Sequence, residues 1–223
     1  LILRKKVLND LKKITKTRVF LKRKSHLLMG VVNMTPDSFS DGGKYNSFNK
    51  ALKRIAHLKE AGAEIIDIGG ESTRPGSKII SQNNELQRVK KIVKKFKKKF
   101  PKALFSIDTR KSLVMDYSIK NKVDIINDVS CFKHDPNSLN VSKNKNVWKI
   151  IHHMQGTPQT MQINPSYGNV LLDIYDFFEN EIKKFHKDKF RSKIILDPGI
   201  GFGKNLKHNL MILNKISIFH SLG

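Results

Sequence analysis

The chain contains a single cysteine, Cys131, and therefore cannot form an internal disulfide bond. A lone cysteine is typical of a reducing compartment, which predicts a cytoplasmic location, and Cys131 is more simply a packed residue than a nucleophile. The chain also lacks an apolar run of about 20 residues, so no membrane-spanning helix is predicted. Residues 1–26 contain no long apolar stretch followed by a cleavage site, which argues against a secretory signal.

Acidic residues are scarce: 19 aspartates and glutamates face 43 lysines and arginines, giving a formal net charge of +24. Such a charge permits non-specific attraction to nucleic acid or to anionic surfaces. The lysines are spread over most polar segments, however, which favours a composition bias with a solvated basic face over a nucleic-acid site. An anionic substrate would also be attracted by this field.

Short apolar segments alternate with amphipathic segments six times along the 223 residues. This alternation predicts an α/β domain over residues 27–223, with buried parallel strands, and a basic arm or hairpin over residues 1–26. Strands are predicted at 27–33, 64–68, 104–108, 123–126, 147–151 and 194–196. Helices are predicted at 47–61, 83–99, 111–121, 135–144 and 169–187, and a last helix carries Leu206, Leu210, Leu213 and Ile216 on one face.

Polar residues stand directly after the predicted strands and before the following helices. In an α/β barrel these positions converge on one rim, whereas in an open doubly wound sheet they spread along one edge. The collected rim residues are Asn33, Asp37, Asp41, Thr73, Arg74, Asp108, Asn127, His153 and Asp197. Asp67 lies inside the second predicted strand, and the sequence assigns it no role.

The rim residues are chemically suited to a flat heterocycle, because carboxylates and carboxamides supply acceptors and donors at fixed angles. Arg74 and a nearby metal ion would suit a phosphate group on the same ligand. Covalent catalysis is not predicted, because no nucleophile elbow or Cys–His pair is apparent. His152 and His153 are adjacent and point in opposite directions on extended backbone, so a zinc pair is not predicted and His152 is assigned a structural role.

Several motifs resemble those of the dihydropteroate synthase family. The longest are Gly-Val-Val-Asn-Met-Thr-Pro-Asp-Ser-Phe-Ser-Asp-Gly-Gly at residues 30–43 and Asp-Ile-Gly-Gly-Glu-Ser-Thr-Arg-Pro-Gly at residues 67–76. Shorter matches follow in family order at residues 106–109, 125–128, 153–156 and 196–204. The resemblance implies a (β/α)8 barrel and a transferase of folate biosynthesis. That enzyme joins 6-hydroxymethyl-7,8-dihydropterin diphosphate to 4-aminobenzoate, forming dihydropteroate and releasing diphosphate.

The resemblance also implies a role for individual residues. Asp108, Asn127, Met154 and Asp197 would bind the pterin, and Thr73 and Arg74 would lie on the diphosphate and aminobenzoate side. Asn33 and Asp41 would hold Mg2+, and Phe39, Pro75 and Phe202 would wall the aminobenzoate pocket. The implied partners are these small-molecule substrates and a second copy of the full-length chain in a homodimer, with no membrane and no specific nucleic acid.

The chain departs from the family in strand number. The family barrel has eight strands, and its seventh and eighth units carry a Ser-Arg-Lys and an Arg-x-His motif that are not found here. We therefore expect a barrel that lacks its C-terminal seventh and eighth βα units and has little activity alone. Two alternatives stay open: a methyltetrahydrofolate-type methyltransferase domain, which would lack the long loop around Phe39, and an inactive barrel fragment that binds nucleic acid non-specifically.

Overall fold

The computed structural model describes residues 26–35, 44–74, 76–143, 146–187 and 193–222. Within these residues, strands and α-helices alternate from β1 to α6, as expected for an α/β domain. The strands are β1 (Met29–Asn33), β2 (Ile65–Gly69), β3 (Leu104–Asp108), β4 (Ile125–Asp128), β5 (Trp148–His152) and β6 (Lys193–Asp197). The helices are α1 (Lys44–Glu60), α2 (Gln82–Lys99), α3 (Ser112–Lys120), α4 (Ser138–Ser142), α5 (Val170–Lys187) and α6 (Leu206–Asn214), followed by a 3-10 helix (Ile216–Leu222). The predicted arm at residues 1–26 lies outside the described residues except for His26.

The six strands form one parallel sheet in which spatial order follows chain order from β1 to β6. Each βα unit therefore adds its strand beside the previous one, as in an α/β barrel, whereas a doubly wound sheet reverses its strand order. Among the described strands, β1 and β6 are the two edges of the sheet. Closure into a barrel of eight strands stays a prediction.

The two faces of the sheet carry different residues, because successive side chains of a strand point to opposite sides. One face packs under the helices through apolar side chains such as Ile68, Ile107 and Ile151. The opposite face, called the inner face below, has a separate apolar cluster of Ile65, Ile125, Trp148 and Ile150. Towards the carboxyl ends of the strands the inner face becomes polar, which is where the predicted site lies.

Helix α2 shows how the helices cover the sheet. Ser81 caps its N-terminus by accepting a hydrogen bond from the Asn84 backbone N–H at 3.2 Å. One face of the helix is buried, and each such side chain contributes roughly 1.5–3 kcal/mol by leaving water. The buried apolar residues are Val89, Ile92, Val93 and Phe96. The lysine-rich run at the end of this helix is explained by its exposed face, as predicted.

The prediction that the leucine-bearing face of the last helix is its packing face is wrong. Leu206, Leu210 and Leu213 are 74%, 57% and 53% exposed, whereas Ile212 is buried. The helix ends at Asn214, and the following 3-10 helix packs instead through Phe219, whose ring meets that of Phe178 at 5.6 Å. The leucines are therefore left as an exposed apolar stripe. In the described part of the chain, no helix has the length and apolar character needed to cross a membrane.

Candidate active site

The carboxyl ends of the first four strands bring four residues into one row of the inner face. Asn33 is the register partner of Gly69, Gly69 that of Asp108, and Asp108 that of Asn127. A Cβ atom on Gly69 would lie 3.3 Å from Asp108 Oδ2 and 3.4 Å from Asn33 Oδ1. The missing side chain of Gly69 thus leaves room for the polar groups of Asn33 and Asp108 to approach each other.

Asp67, Asn127 and Asp197 extend this polar surface across the sheet. Asn127 Nδ2 donates a hydrogen bond to Asp67 Oδ2 at 3.0 Å, which links β2 to β4 over β3. Asp197 is the last residue of β6, and its Oδ1 accepts a hydrogen bond from the Gly199 backbone N–H at 2.8 Å. The structure thus places Asp108, Asn127 and Asp197 on one face of the sheet, as the sequence predicted.

The carboxylates on this face influence one another. Burial raises the pKa of Asp67, and the negative charge of Asp197 raises it further. Burial likewise raises the pKa of Asp108 well above its usual value, and Asp67 is the strongest charged contributor. The charge of Asp67 on β2 thus interacts unfavourably with Asp108 on β3 and with Asp197 on β6. A ligand with N–H donors or positive charge would relieve this repulsion.

The two histidines exchange the positions expected from sequence. Strand β5 continues through His152, so its ring lies on the inner face, 3.9 Å from Asp197 Oδ2 and edge-on to Phe202. His153 points to the other side, where its ring packs against Phe177 with centroids 4.9 Å apart. The expectation that His153 is a rim group is therefore wrong. Within the described residues, no group of three or more His, Cys, Asp or Glu could hold a metal ion.

Lys204 joins the loop after β6 to the loop after β5. Its Nζ donates to the Phe202 backbone carbonyl at 2.8 Å and to that of His153 at 3.3 Å, and it lies 3.1 Å from His153 Nδ1. Gly199 allows the two loops to approach closely, because a Cβ atom at this position would lie 2.0 Å from the His153 carbonyl oxygen. These two loops also carry Met154 and Phe202, both half-buried, so the Lys204 contacts fix the backbone next to two predicted site residues.

A buried network of ion pairs connects the loops after β2 and β3. Glu71 accepts from Arg110 at 2.7 Å and from Lys111 at 2.8 Å, and Lys111 also donates to Glu85 at 2.7 Å. None of these four residues was predicted to be a site residue from the sequence. The only signal was position, because Glu71 follows the Gly-Gly pair after β2 and Arg110 closely follows Asp108.

The loop after β2 carries Thr73, which is half-buried, and Arg74, which is exposed. Its base is closed by the Ile80 backbone N–H, which donates to Glu71 Oε1 at 3.0 Å. Its far side is anchored to the loop after β5, because Gln159 Nε2 donates to the Ser77 carbonyl at 3.2 Å. Arg74 is therefore an exposed cation on an anchored loop. The predicted residues Asp37, Phe39, Asp41 and Pro75 lie outside the described residues.

Comparison with known proteins agrees with this geometry. Residues 29–223 match the family of pterin binding enzymes. The dihydropteroate synthase of Escherichia coli is 41% identical over 194 residues, which span 86% of this chain and 68% of that protein.

Solved structures give the same relationship. The Yersinia pestis dihydropteroate synthase, determined as a sulfonamide drug complex, has a TM-score of 0.80 at 39% identity over 88% of this chain and 70% of that chain. The Xanthomonas albilineans dihydropteroate synthase with 4-aminobenzoic acid has a TM-score of 0.80 at 31% identity, covering 88% and 69% of the two chains. With its motifs, inner-face residues and relatives in agreement, this chain belongs to the pterin binding enzymes and, among them, to the dihydropteroate synthases.

Proposed function

We propose that the inner face binds 6-hydroxymethyl-7,8-dihydropterin diphosphate and joins it to 4-aminobenzoate, giving 7,8-dihydropteroate and diphosphate. The observation that carries this assignment is the meeting of Asp108, Asn127 and Asp197 on one face of a parallel sheet. Carboxylates and an amide oxygen match the N–H groups along the edge of a pterin ring. The family to which the chain belongs supports the same substrate class.

The reaction we propose is a substitution in which diphosphate leaves before the amine attacks. As the C–O bond to diphosphate breaks, the pterin methylene becomes cation-like. The carboxylates of Asp108 and Asp197, on the same face as the ring, stabilise this charge. The aniline nitrogen of 4-aminobenzoate then forms the new C–N bond and loses a proton. Holding both substrates in place lowers the barrier by roughly 7 kcal/mol or more in favourable systems.

Diphosphate would be held by residues after β1 and β2. Arg74 presents an exposed guanidinium, whose fork of donors matches phosphate oxygens, and Thr73 stands beside it. Asn33 directs its amide oxygen towards the space above Gly69, and an amide oxygen is a ligand type that Mg2+ accepts. With Asp41, Asn33 would hold Mg2+, which would supply positive charge to the departing diphosphate.

The aminobenzoate would lie among Phe39, Pro75 and Phe202, with Met154 packing on the pterin. Support comes from Phe202, whose ring meets His152 edge-on at 4.7 Å on the inner face, beside Asp197. An aromatic wall next to a carboxylate suits an aromatic nucleophile that must approach a developing cation. The 4-aminobenzoic acid in the Xanthomonas albilineans enzyme supports this ligand class.

We further propose that the sheet belongs to a (β/α)8 barrel and that the protein works as a cytoplasmic homodimer. The chain-order sheet with helices on one face supports the barrel. The exposed leucine stripe of α6 supports a subunit contact, because contiguous apolar surface marks interaction sites. The buried free thiol of Cys131 suits a reducing compartment.

The test is dihydropteroate formation by the purified product of the complete coding sequence. We expect turnover that needs both substrates, falls when divalent cations are chelated and returns with Mg2+. The Asn33→Ala variant should require more Mg2+ than the wild-type protein to reach its half-maximal rate. Lys53→Ala, an exposed change on α1, is the control and should require the wild-type concentration. A protein that binds pterin but transfers it to no arylamine would contradict the assignment.

A further inference from the structure

Asp67 is the buried inner-face carboxylate to which the proposed reaction gives no task. It lies in the middle of β2, two residues before Gly69, and is only 3% exposed. Burial of a carboxylate is costly unless it is hydrogen-bonded. Its Oδ2 accepts from Asn127 Nδ2 at 3.0 Å, whereas its Oδ1 has no hydrogen-bond partner among the described residues.

This hydrogen bond determines which end of the Asn127 carboxamide is bonded to the protein and which end faces the site. An ionised carboxylate can only accept, so it selects the NH2 end of the amide as its partner. Rotation of the Asn127 amide by half a turn would place two oxygens together and lose the bond. The amide is therefore held with its Nδ2 bonded to Asp67 and its Oδ1 not bonded to that residue.

The Oδ1 atom of Asn127 needs a hydrogen-bond donor from outside the described residues. Asn127 Oδ1 is buried and has no hydrogen-bond partner among them. A buried acceptor without a partner costs free energy, and such atoms in native proteins call for an explanation. Because Asn127 stands in register with Asp108, the simplest explanation is a ligand N–H that completes this acceptor.

The result is a ring-binding face built from oxygen atoms. Asp108 and Asp197 present carboxyl oxygens on this face, and Asp67 leaves Asn127 with only its amide oxygen to offer. A ring edge with N–H donors then fits, whereas a ring edge with a carbonyl in the same place meets an oxygen. Pterin and lumazine differ in this way, because the 2-amino group of pterin is an oxo group in lumazine.

We propose that Asp67 is a positioning residue that sets the specificity of the site, by holding the Asn127 amide so that pterins are accepted and lumazines are rejected. The proposal rests on the proposed function, since it takes Asn127 to contact the heterocycle. It predicts a role in discrimination, not in the chemical step, because Asp67 acts through Asn127.

Calorimetric titration of the full-length protein with 6-hydroxymethylpterin and 6-hydroxymethyllumazine, in mildly alkaline buffer, tests the proposal. We expect the wild-type protein to prefer the pterin and Asp67→Ala to reduce the ratio of the two affinities about tenfold or more. Asp67→Asn keeps the shape but can pair with either end of the Asn127 amide, so it should also reduce the ratio, by a smaller factor. Asp116→Ala, which removes a carboxylate that is 41% exposed on α3, leaves the Asp67–Asn127 bond and should keep the wild-type ratio.

The outcomes separate the two proposals. A wild-type protein that binds no pterin would contradict the proposed function itself. A wild-type protein that prefers pterin, with an unchanged ratio in a folded Asp67→Asn variant, would overturn only the role of Asp67. If Asp67→Ala does not fold, the isosteric Asp67→Asn variant decides, and its thermal unfolding curve shows whether its structure is intact. Equal wild-type affinity for both ligands would also overturn the inference.

Discussion

The ammonium group of Lys204 lies 3.1 Å from Nδ1 of His153, and both residues are buried. Because an ammonium can only donate, the imidazole must accept at Nδ1 and is therefore neutral. Burial and the charge of Lys204 together lower the pKa of His153 from 6.5 to about 3. Burial also lowers the pKa of Lys204, to about 8. Protonation of His153 would remove the acceptor at Nδ1 and place two positive charges side by side between the loops after β5 and β6.

This relationship predicts loss of stability in acid. A base whose pKa is lowered by folding contributes stability above its unfolded pKa and loses it as the pH falls. We expect the free energy of unfolding to decrease as the pH falls from 6.5 towards 3, by on the order of a few kcal/mol. Urea unfolding across this pH range measures the effect. His153→Gln, whose amide oxygen can still accept from Lys204, should flatten the curve, whereas the exposed His220→Gln should leave it steep.

Asp108 should control pterin affinity. Removing its carboxylate leaves ligand N–H groups without a partner, so Asp108→Ala should weaken pterin binding by about 1–3 kcal/mol, or roughly 5- to 150-fold. Because the pKa of Asp108 is raised, its carboxylate is lost early on acidification, and wild-type affinity should fall with pH. Calorimetric titration measures both effects. Asp116→Ala, whose side chain is 41% exposed on α3, is the matched control, and equal affinities in the two variants would refute the assignment.

The ion network should be a large contributor to stability. Glu71→Gln removes the charge that Arg110 and Lys111 share, and breaking a buried pair typically costs about 3–5 kcal/mol. The urea midpoint of this variant should fall accordingly. Glu179→Gln, which breaks the more exposed pair with Lys183, should cost less than about 1 kcal/mol. A Glu71→Gln variant as stable as wild type would show that the network is not needed for folding.

The leucine stripe of α6 should hold the proposed dimer together. Leu210→Glu places a charge in the middle of this apolar surface, so it should shift the protein towards monomer. Sedimentation velocity measures the change in mass. Leu172→Glu, at a 48% exposed leucine of α5, tests whether any new surface charge has the same effect. Dimers that persist in Leu210→Glu would assign the stripe another role.

The sequence predicted where Asp108, Asn127 and Asp197 lie because each stands at the end of a strand, and parallel strands end together. It failed where one residue decides the outcome. The strand was expected to end at residue 151, but β5 continues through His152, whose side chain therefore lies on the inner face while His153 points to the other side. The link from Glu71 to Arg110 joins two loops separated by 39 residues, and no local pattern encodes such a contact. The α6 face was missed because Leu206, Leu210 and Leu213 share one helical face in the sequence, yet that face is exposed and the helix packs through Ile212 instead.

The chain-order sheet also separates the two ends of every strand. The proposed ligand-contacting residues follow the carboxyl ends, whereas the turns that lead from helix to strand lie at the amino ends, among them the exposed residues Gly62 and Lys122. A strand of five residues spans about 16 Å. A label attached at the exposed Lys122 is therefore about one strand length away from the proposed substrates and leaves the face that would bind them free.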